Sequence, residues 1–224
     1  MTEEFLLDIC LEHEEDSYDK PVRDTCSDCE RPSRVCLCEY ISKPRIKLRT
    51  SIIILQHPDE EKRAIRTGKL LELGLESDNF KIFRGKKFPG KFPELVKIFQ
   101  CPGTRLLYPG QDSRVLTEIS PPDPNISSIV LLDGTWDQAK KMFIRNQGLQ
   151  ALPKIMLNLS CKSIYTVRTQ PNESCLSTLE TAVHSVALIE GRSEIIEPLL
   201  KPLKVLCNIQ LNFGAVIHDS RSNR

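Results

Sequence analysis

The stretch Ile129–Phe143 limits the fold of this chain more than any other. Ile129 to Leu132 is a short apolar run of the kind a buried strand needs. It stops at Asp133-Gly134, a turn dipeptide. A helix is expected next, because Thr135 is placed to cap it and Gln138, three residues on, completes a capping box. Trp136, Ala139, Lys140 and Phe143 then share one helical face. Asp133 is thereby set at the carboxyl tip of a strand, beside a helix N-terminus. In open α/β sheets ligands bind at that edge, where unpaired N–H groups face an anion.

The same grammar recurs along the chain. Ser51–Leu55 is a buried strand running into Gln56-His57-Pro58, and a helix from about Glu60 to Leu73 follows. Phe80–Phe83, Arg105–Tyr108 and Leu152–Leu159 are further strands, and Glu94–Phe99 is a short helix. Ser177 and Glu180 form a second capping box, which by itself accounts for both residues and opens a helix to about Glu190. A last helical stretch, Ser193–Phe213, is expected to be kinked or broken by Pro198 and Pro202. Strands alternating with helices mean an α/β domain with a mainly parallel sheet and helices on both faces. No internal repeat or low-complexity linker divides it.

Nine cysteines are present, and four of them lie together as Cys26, Cys29, Cys36 and Cys38. A C-x2-C pair and a C-x-C pair on two tight turns suit a tetrahedral zinc ion. The segment is too short to own a core, so zinc would supply its folding energy. Four sulfur ligands leave no open position, which makes the zinc structural. Arg31 and Arg34, between the pairs, either touch phosphate or are solvated. The chain divides accordingly into an acidic flexible tail (1–24), a zinc-binding module (25–48), a main domain (49–215) and a short tail (216–224).

Charge is unevenly placed. Residues 1–19 hold eight acids and no Lys or Arg, so the rest of the chain carries all 31 basic residues and only 22 of the 30 acidic ones, net +9. A basic body suits a polyanionic partner, although ordinary solubility charge accounts for it equally well. The candidate contacts are Lys62, Arg63, Arg66 and Lys69 on the helix after His57, Lys86 and Lys87 in the Arg84–Lys91 loop, and Lys140. His57 is either a turn residue or a base at a strand tip. No apolar run reaches the length of a membrane span, and no secretory leader opens the chain. Neither membrane insertion nor secretion is expected, and the location is cytoplasmic and/or nuclear.

Five motifs stand in a telling order. They are Arg31-Pro32 with Cys36-Leu37-Cys38, then Gln56-His57-Pro58, then Tyr108-Pro109-Gly110-Gln111-Asp112-Ser113, then Asp133-Gly134-Thr135-Trp136 in the form D-x-T-W, then Arg168–Pro171 followed by Ser177–Glu180. Together they resemble the DTW-domain family of tRNA-uridine aminocarboxypropyltransferases, over roughly residues 25–215. The resemblance implies a SPOUT-like fold with S-adenosylmethionine in a knotted C-terminal region. It fits the absence of any G-x-G-x-x-G after a strand. It implies transfer of the 3-amino-3-carboxypropyl group to the ring imide nitrogen of a tRNA uridine, with loss of methylthioadenosine.

That chemistry needs a group to take the imide proton, a cofactor turned to present the right carbon, and a cation or N–H groups for the cofactor carboxylate. The resemblance places Asp133, Thr135 and Trp136 at the chemistry. It places Tyr108, Pro109, Ser113, Leu132, Arg168, Ser177, Thr178 and Glu180 at the cofactor. Asp133 is either the base or a holder of the cofactor amino group. Trp136 either stacks on a base or packs in the core. Arg168 either meets the cofactor or pairs with Glu173 or Glu180. A methyltransferase with the same cofactor, and a non-catalytic zinc-containing tRNA-binding protein, are the competing readings. Monomer and homodimer are both open.

Overall fold

Parallel strand pairing sets the architecture. The computed structural model describes residues 24–62, 67–167 and 175–218. Six strands form one sheet: β1 (Ser51–Gln56), β2 (Phe80–Arg84), β3 (Thr104–Leu107), β4 (Arg114–Leu116), β5 (Ser128–Asp133) and β6 (Lys154–Leu157). Their order is β2-β1-β5-β3-β6-β4, and each of the five pairings is parallel. The helices are α1 (Thr67–Gly74), α2 (Pro93–Gln100), α3 (Trp136–Ile144), α4 (Gln147–Gln150), α5 (Thr178–Glu190) and α6 (Ile196–Asn212).

The central strands are apolar on both faces because both faces are covered. Ile52, Ile54, Ile129 and Leu131 pack with α1, α5 and α6 through Leu71, Val183 and Leu203. Ile53, Leu55 and Val130 pack on the opposite side with α2, α3 and α4 through Leu95, Met142 and Leu149. An α/β fold with helices on both faces is therefore what forms, and the sheet is parallel throughout.

The expected elements differ from the observed ones in four places. β4 was not expected. It is a three-residue strand at the sheet edge, with Arg114 and Val115 exposed, too short to show alternation. α4 is one turn around Gly148 and was likewise hidden. The helix expected from Glu60 is a 3-10 turn, Pro58–Lys62, followed by α1 from Thr67. The last helix is not broken: a 3-10 turn, Ser193–Ile195, leads into α6, which runs through Pro202. Pro198 sits in the first turn of α6, where its missing N–H has no helical acceptor to lose.

The amino edge of the sheet is tied down by side chains. The Arg49 guanidinium donates to the carbonyls of Pro124 (2.8 Å), Ile126 (3.1 Å), Asp123 (3.2 Å) and Ile189 (3.4 Å). Glu190 accepts the Thr50 N–H at 2.6 Å. Gly191 caps α5 at φ +66°, a conformation glycine takes at no steric cost. Buried Asn79 stands in for a missing strand neighbour: its amide accepts from Leu48 N at 2.8 Å and donates to Leu48 O at 2.7 Å. Asn79→Ala would leave both groups of Leu48 unmatched and is expected to cost about 2 kcal/mol. Urea denaturation checks this, with a lowered midpoint at unchanged slope.

Candidate active site and cysteine centre

The β1–β5 register brings Gln56 opposite Asp133, each the last residue of its strand. Both side chains follow the direction of Ile54 and Leu131, toward the α5 face. Asp133 there accepts two hydrogen bonds, one on each oxygen. Thr178 Oγ1 donates to Oδ1 at 2.8 Å, and Gln56 Nε2 donates to Oδ2 at 2.9 Å. Gln56 Oε1 in turn accepts from Arg84 Nε at 3.1 Å. The Asp133 carbonyl accepts the His57 N–H at 2.8 Å, which pins the two strand tips together.

Two helices begin at this edge, one on each face of the sheet. Thr135 caps α3: its hydroxyl accepts from Gln138 N at 3.3 Å, and its own N–H donates to Gln138 Oε1 at 2.8 Å. Gly134 lets the turn pack closely, since a Cβ there would stand 3.2 Å from Gln138 Cβ and 3.4 Å from His57 Cβ. Ser177 caps α5 in the same way, with Glu180. Glu180, only 1% exposed, accepts from Ser177 N and Ser163 Oγ at 2.8 Å and from Ile164 N at 2.7 Å. Its carboxylate thus ties the start of α5 to the 163–164 segment.

Around the neighbouring β3 tip, the Tyr108 ring stacks on Phe143 of α3, with centroids 4.1 Å apart. Burial pushes the Tyr108 phenol up from its ordinary pKa. Ser113 Oγ donates to Tyr108 O at 2.8 Å and closes the Pro109–Asp112 turn. Pro109 is exposed on that turn, and Leu132 is half-buried against the α3 side. Trp136 is 57% exposed, so the core alternative for this residue is ruled out. Phe143 and Met142, not Trp136, make the apolar contact of α3.

A pocket of about 350 Å³ opens on the α3 face, lined by His57, Asp59, Lys86, Asp137, Gln138, Lys141, Met142 and Arg145. Asp133 is not among its walls, because its carboxylate points through the other face. His57 serves as a turn residue that also lines this pocket: its carbonyl accepts Glu60 N, and its Nδ1 accepts Asp59 N at 3.3 Å. Lys141 and Arg145 were not singled out in the sequence. Lys141 of α3 and its C-cap residue Arg145 lie four residues apart, and that spacing was the available signal.

The proposed RNA contacts separate into groups. Lys86, Lys87, Lys140 and Arg34 are exposed. The loop bearing Lys86 and Lys87 is fixed by buried Asn146, which accepts from Phe88 N at 2.6 Å and donates to Lys86 O at 3.1 Å and to Met142 O. Lys69 lies between Glu30 (3.4 Å) and Glu72 (3.2 Å), so its charge is matched within the protein. Arg31 Nε donates to Val35 O at 3.0 Å across the cysteine loop, and burial lowers its pKa. Arg63, Arg66, Arg168 and the Lys62 side chain lie outside the described residues.

The four cysteines do converge. Cys26 and Cys38 Sγ are 3.6 Å apart, as are Cys29 and Cys36, and all four sulfurs lie within 4.8 Å of one another. A zinc tetrahedron with Zn–S bonds of about 2.3 Å separates its sulfurs by about 3.8 Å, so the cluster is compatible with zinc. The N–H groups of Cys29 and Asp28 hold the Cys26 thiol down to about 7, while burial pushes Cys38 up. Leu37, between the last two cysteines, is fully buried in the α1–α5–α6 core.

A parallel sheet covered by helices on both faces defines an α/β protein, and the doubly held carboxylate at its carboxyl edge, flanked by two capped helices, is its candidate site. Residues 23–211 match the DTW domain, and the chain belongs to that family. It is 42% identical over 201 residues to a Drosophila melanogaster protein named tRNA-uridine aminocarboxypropyltransferase 2, covering 89% of this chain and 80% of that one. A Macaca fascicularis protein of the same name is 39% identical over 205 residues, 90% and 68% of the two chains. Arabidopsis thaliana tRNA-uridine aminocarboxypropyltransferase A is 26% identical over 240 residues, 92% and 87%. No solved structure matches this chain.

Because Thr135 caps α3 through its hydroxyl, Thr135→Ala is expected to lower stability by about 1 kcal/mol. Thr135→Ser should retain it, with both read from urea midpoints.

Proposed function

We propose that this chain is a tRNA-uridine aminocarboxypropyltransferase acting on the ring imide nitrogen of a tRNA uridine. The observation that carries the reading is the family match together with Asp133 at the β5 tip, clamped by Gln56 and Thr178. S-adenosylmethionine supplies the 3-amino-3-carboxypropyl group, and methylthioadenosine is released. The donor set at this edge fits such a group. The first-turn N–H groups of α5 offer donors to its carboxylate, which leaves Asp133 for the uridine.

The neutral imide nitrogen is a poor nucleophile, so its proton must leave. Asp133 takes it on whichever oxygen lone pair Thr178 and Gln56 leave unused. Thr135 sets the start of α3, and exposed Trp136 stacks on the base. Tyr108, Pro109 and Ser113 at the β3 tip and Ser177 and Thr178 at the start of α5 are the described candidates for the cofactor, Leu132 and Glu180 support them from within the fold, and Arg168 keeps its proposed cofactor role from outside the described residues. Exposed Lys86, Lys87, Lys140 and Arg34 meet tRNA phosphates.

The reading extends to the fold. A SPOUT-like topology with a C-terminal knot belongs to it as what the family resemblance implies, and the all-parallel sheet is compatible with it. Residues 25–48 form a structural zinc module and 49–215 the catalytic domain. The substrate implies a cytoplasmic and/or nuclear location. Among the described residues no helix is long and apolar enough to cross a membrane.

Incubation with tRNA and S-adenosylmethionine, followed by nucleoside mass spectrometry, is expected to show aminocarboxypropyl-uridine and methylthioadenosine. Methylated uridine with S-adenosylhomocysteine would sink the assignment. Asp133→Asn should reduce turnover by about a hundredfold or more while the protein stays folded. For the cysteine centre, elemental analysis is expected to find one zinc per chain. Chelation should lower the melting temperature, and affinity for the metal should fall with pH as the thiolates are protonated.

A further inference from the structure

We infer that Gln56, oriented by Arg84, is a positioning residue that fixes the Asp133 carboxylate for the transfer reaction, with Thr178 as the second clamp. The inference rests on the reading that Asp133 acts on the uridine.

The strand itself makes Gln56 conspicuous. β1 is apolar from Ile52 to Leu55 and buried on both faces, yet it ends in an amide that is 4% exposed. An apolar side chain of the same length would fill the space without the cost of desolvating an amide. The amide is instead used twice. Its Nε2 donates to Asp133 Oδ2 at 2.9 Å, and its Oε1 accepts from Arg84 Nε at 3.1 Å. The sense of the amide is forced: a carboxylate only accepts and a guanidinium only donates, so turning it over breaks both bonds. The backbone is equally constrained. Gln56 O accepts Gly85 N at 3.0 Å, and Asp133 O accepts His57 N at 2.8 Å.

With Thr178 Oγ1 on Oδ1 and Gln56 Nε2 on Oδ2, the carboxylate cannot rotate without losing a donor. One lone-pair direction stays open on each oxygen for the substrate. That is the arrangement a proton acceptor needs, since small errors of placement at a reacting group cost large factors in rate. The charged groups around it are few among the described residues. Arg84 stands behind Gln56, and Glu61 Oε1 lies 3.7 Å from the same Arg84 Nε. His57 is joined to Asp133 only through its backbone N–H and faces the opposite pocket. Glu180, on α5, is taken up by Ser163, Ile164 and Ser177.

The test uses full-length protein, tRNA and S-adenosylmethionine, with kcat, both KM values and the melting temperature measured for each variant. Gln56→Met keeps the length and removes the hydrogen bonds. It is expected to lower kcat about tenfold, as loss of a hydrogen bond to a charged group does, with both KM values within about twofold. Arg84→Met frees the amide to turn and is expected to lower kcat about threefold. Thr178→Val should lower kcat about tenfold, and Thr178→Ser, which restores the hydroxyl, should recover it. Arg84 is half exposed at the sheet edge, so its variant carries the test if Gln56→Met does not fold.

Unchanged kcat in Gln56→Met and Arg84→Met, while Asp133→Asn abolishes turnover, overturns the positioning role and leaves the functional reading standing. A loss confined to KM for tRNA overturns it too, since Arg84 would then be a phosphate contact. Full turnover in Asp133→Asn overturns the functional reading, and this inference with it.

Discussion

The parallel pairing of β1 with β5 is the constraint on which the site depends. It runs from Ser51 opposite Ser128 to Gln56 opposite Asp133. Side chains alternate across a strand, so a slip of one residue would send Asp133 to the α3 face and Leu132 to the α5 face. Burial alone does not select that register. Ile52, Ile54, Ile129 and Leu131 meet one set of helices, and Ile53, Leu55 and Val130 meet the other. A strand apolar on both faces does not choose its register by polarity. The polar ends do so: Arg49 and Thr50 are tied at the amino edge, and Gln56 is matched to Asp133 at the carboxyl edge.

Fixation occupies one end of the sheet and the candidate site the other. At the amino edge, Arg49 is taken up by backbone carbonyls and Glu190 by the Thr50 N–H and Arg192. At the carboxyl edge, α3 and α5 both begin, on opposite faces, each closed by its own capping box. The caps take up the N–H groups of Gln138 and Glu180 and leave the earlier N–H groups of each helix outside the helical pattern. The result is a tip where partial positive charge from two helix ends surrounds one fixed carboxylate.

Two peripheral segments are held in place by different physics. The cysteine segment has no core of its own: Leu37 and Leu48 are buried in the main one and Tyr40, Ile41 and Ile46 pack against it, while the sulfur cluster joins the turns at Cys26–Cys29 and Cys36–Cys38. The basic loop is ordered by Phe88, buried among Phe83 and Phe92, and by the Asn146 amide. That anchoring turns Lys86 toward the pocket shared with Lys141 and Arg145. Exposed lysines on a firmly held loop suit a backbone of phosphates, which is read by charge and spacing more than by sequence.

Local rules were enough for much of this. Apolar runs at Ser51–Leu55 and Ile129–Leu132 specified buried strands, capping boxes specified where α3 and α5 begin, and cysteine spacing specified a four-sulfur cluster. Each of these is a contact between residues near in sequence, or a demand that a segment be buried. Asp133 stood out for the same reason, as a charge at the end of an apolar strand. The short elements β4 and α4 escaped because a few residues carry no period, and Trp136 looked apolar enough for the core until α3 was seen to bury Met142 and Phe143 in its place. What only the tertiary structure decided is the company Asp133 keeps. Gln56, Arg84 and Thr178 come from β1, β2 and α5, 77 residues upstream in the case of Gln56 and 45 downstream in that of Thr178. No local pattern joins them, because strand order and register, which the packing of two helical layers determines, are properties of the whole sheet.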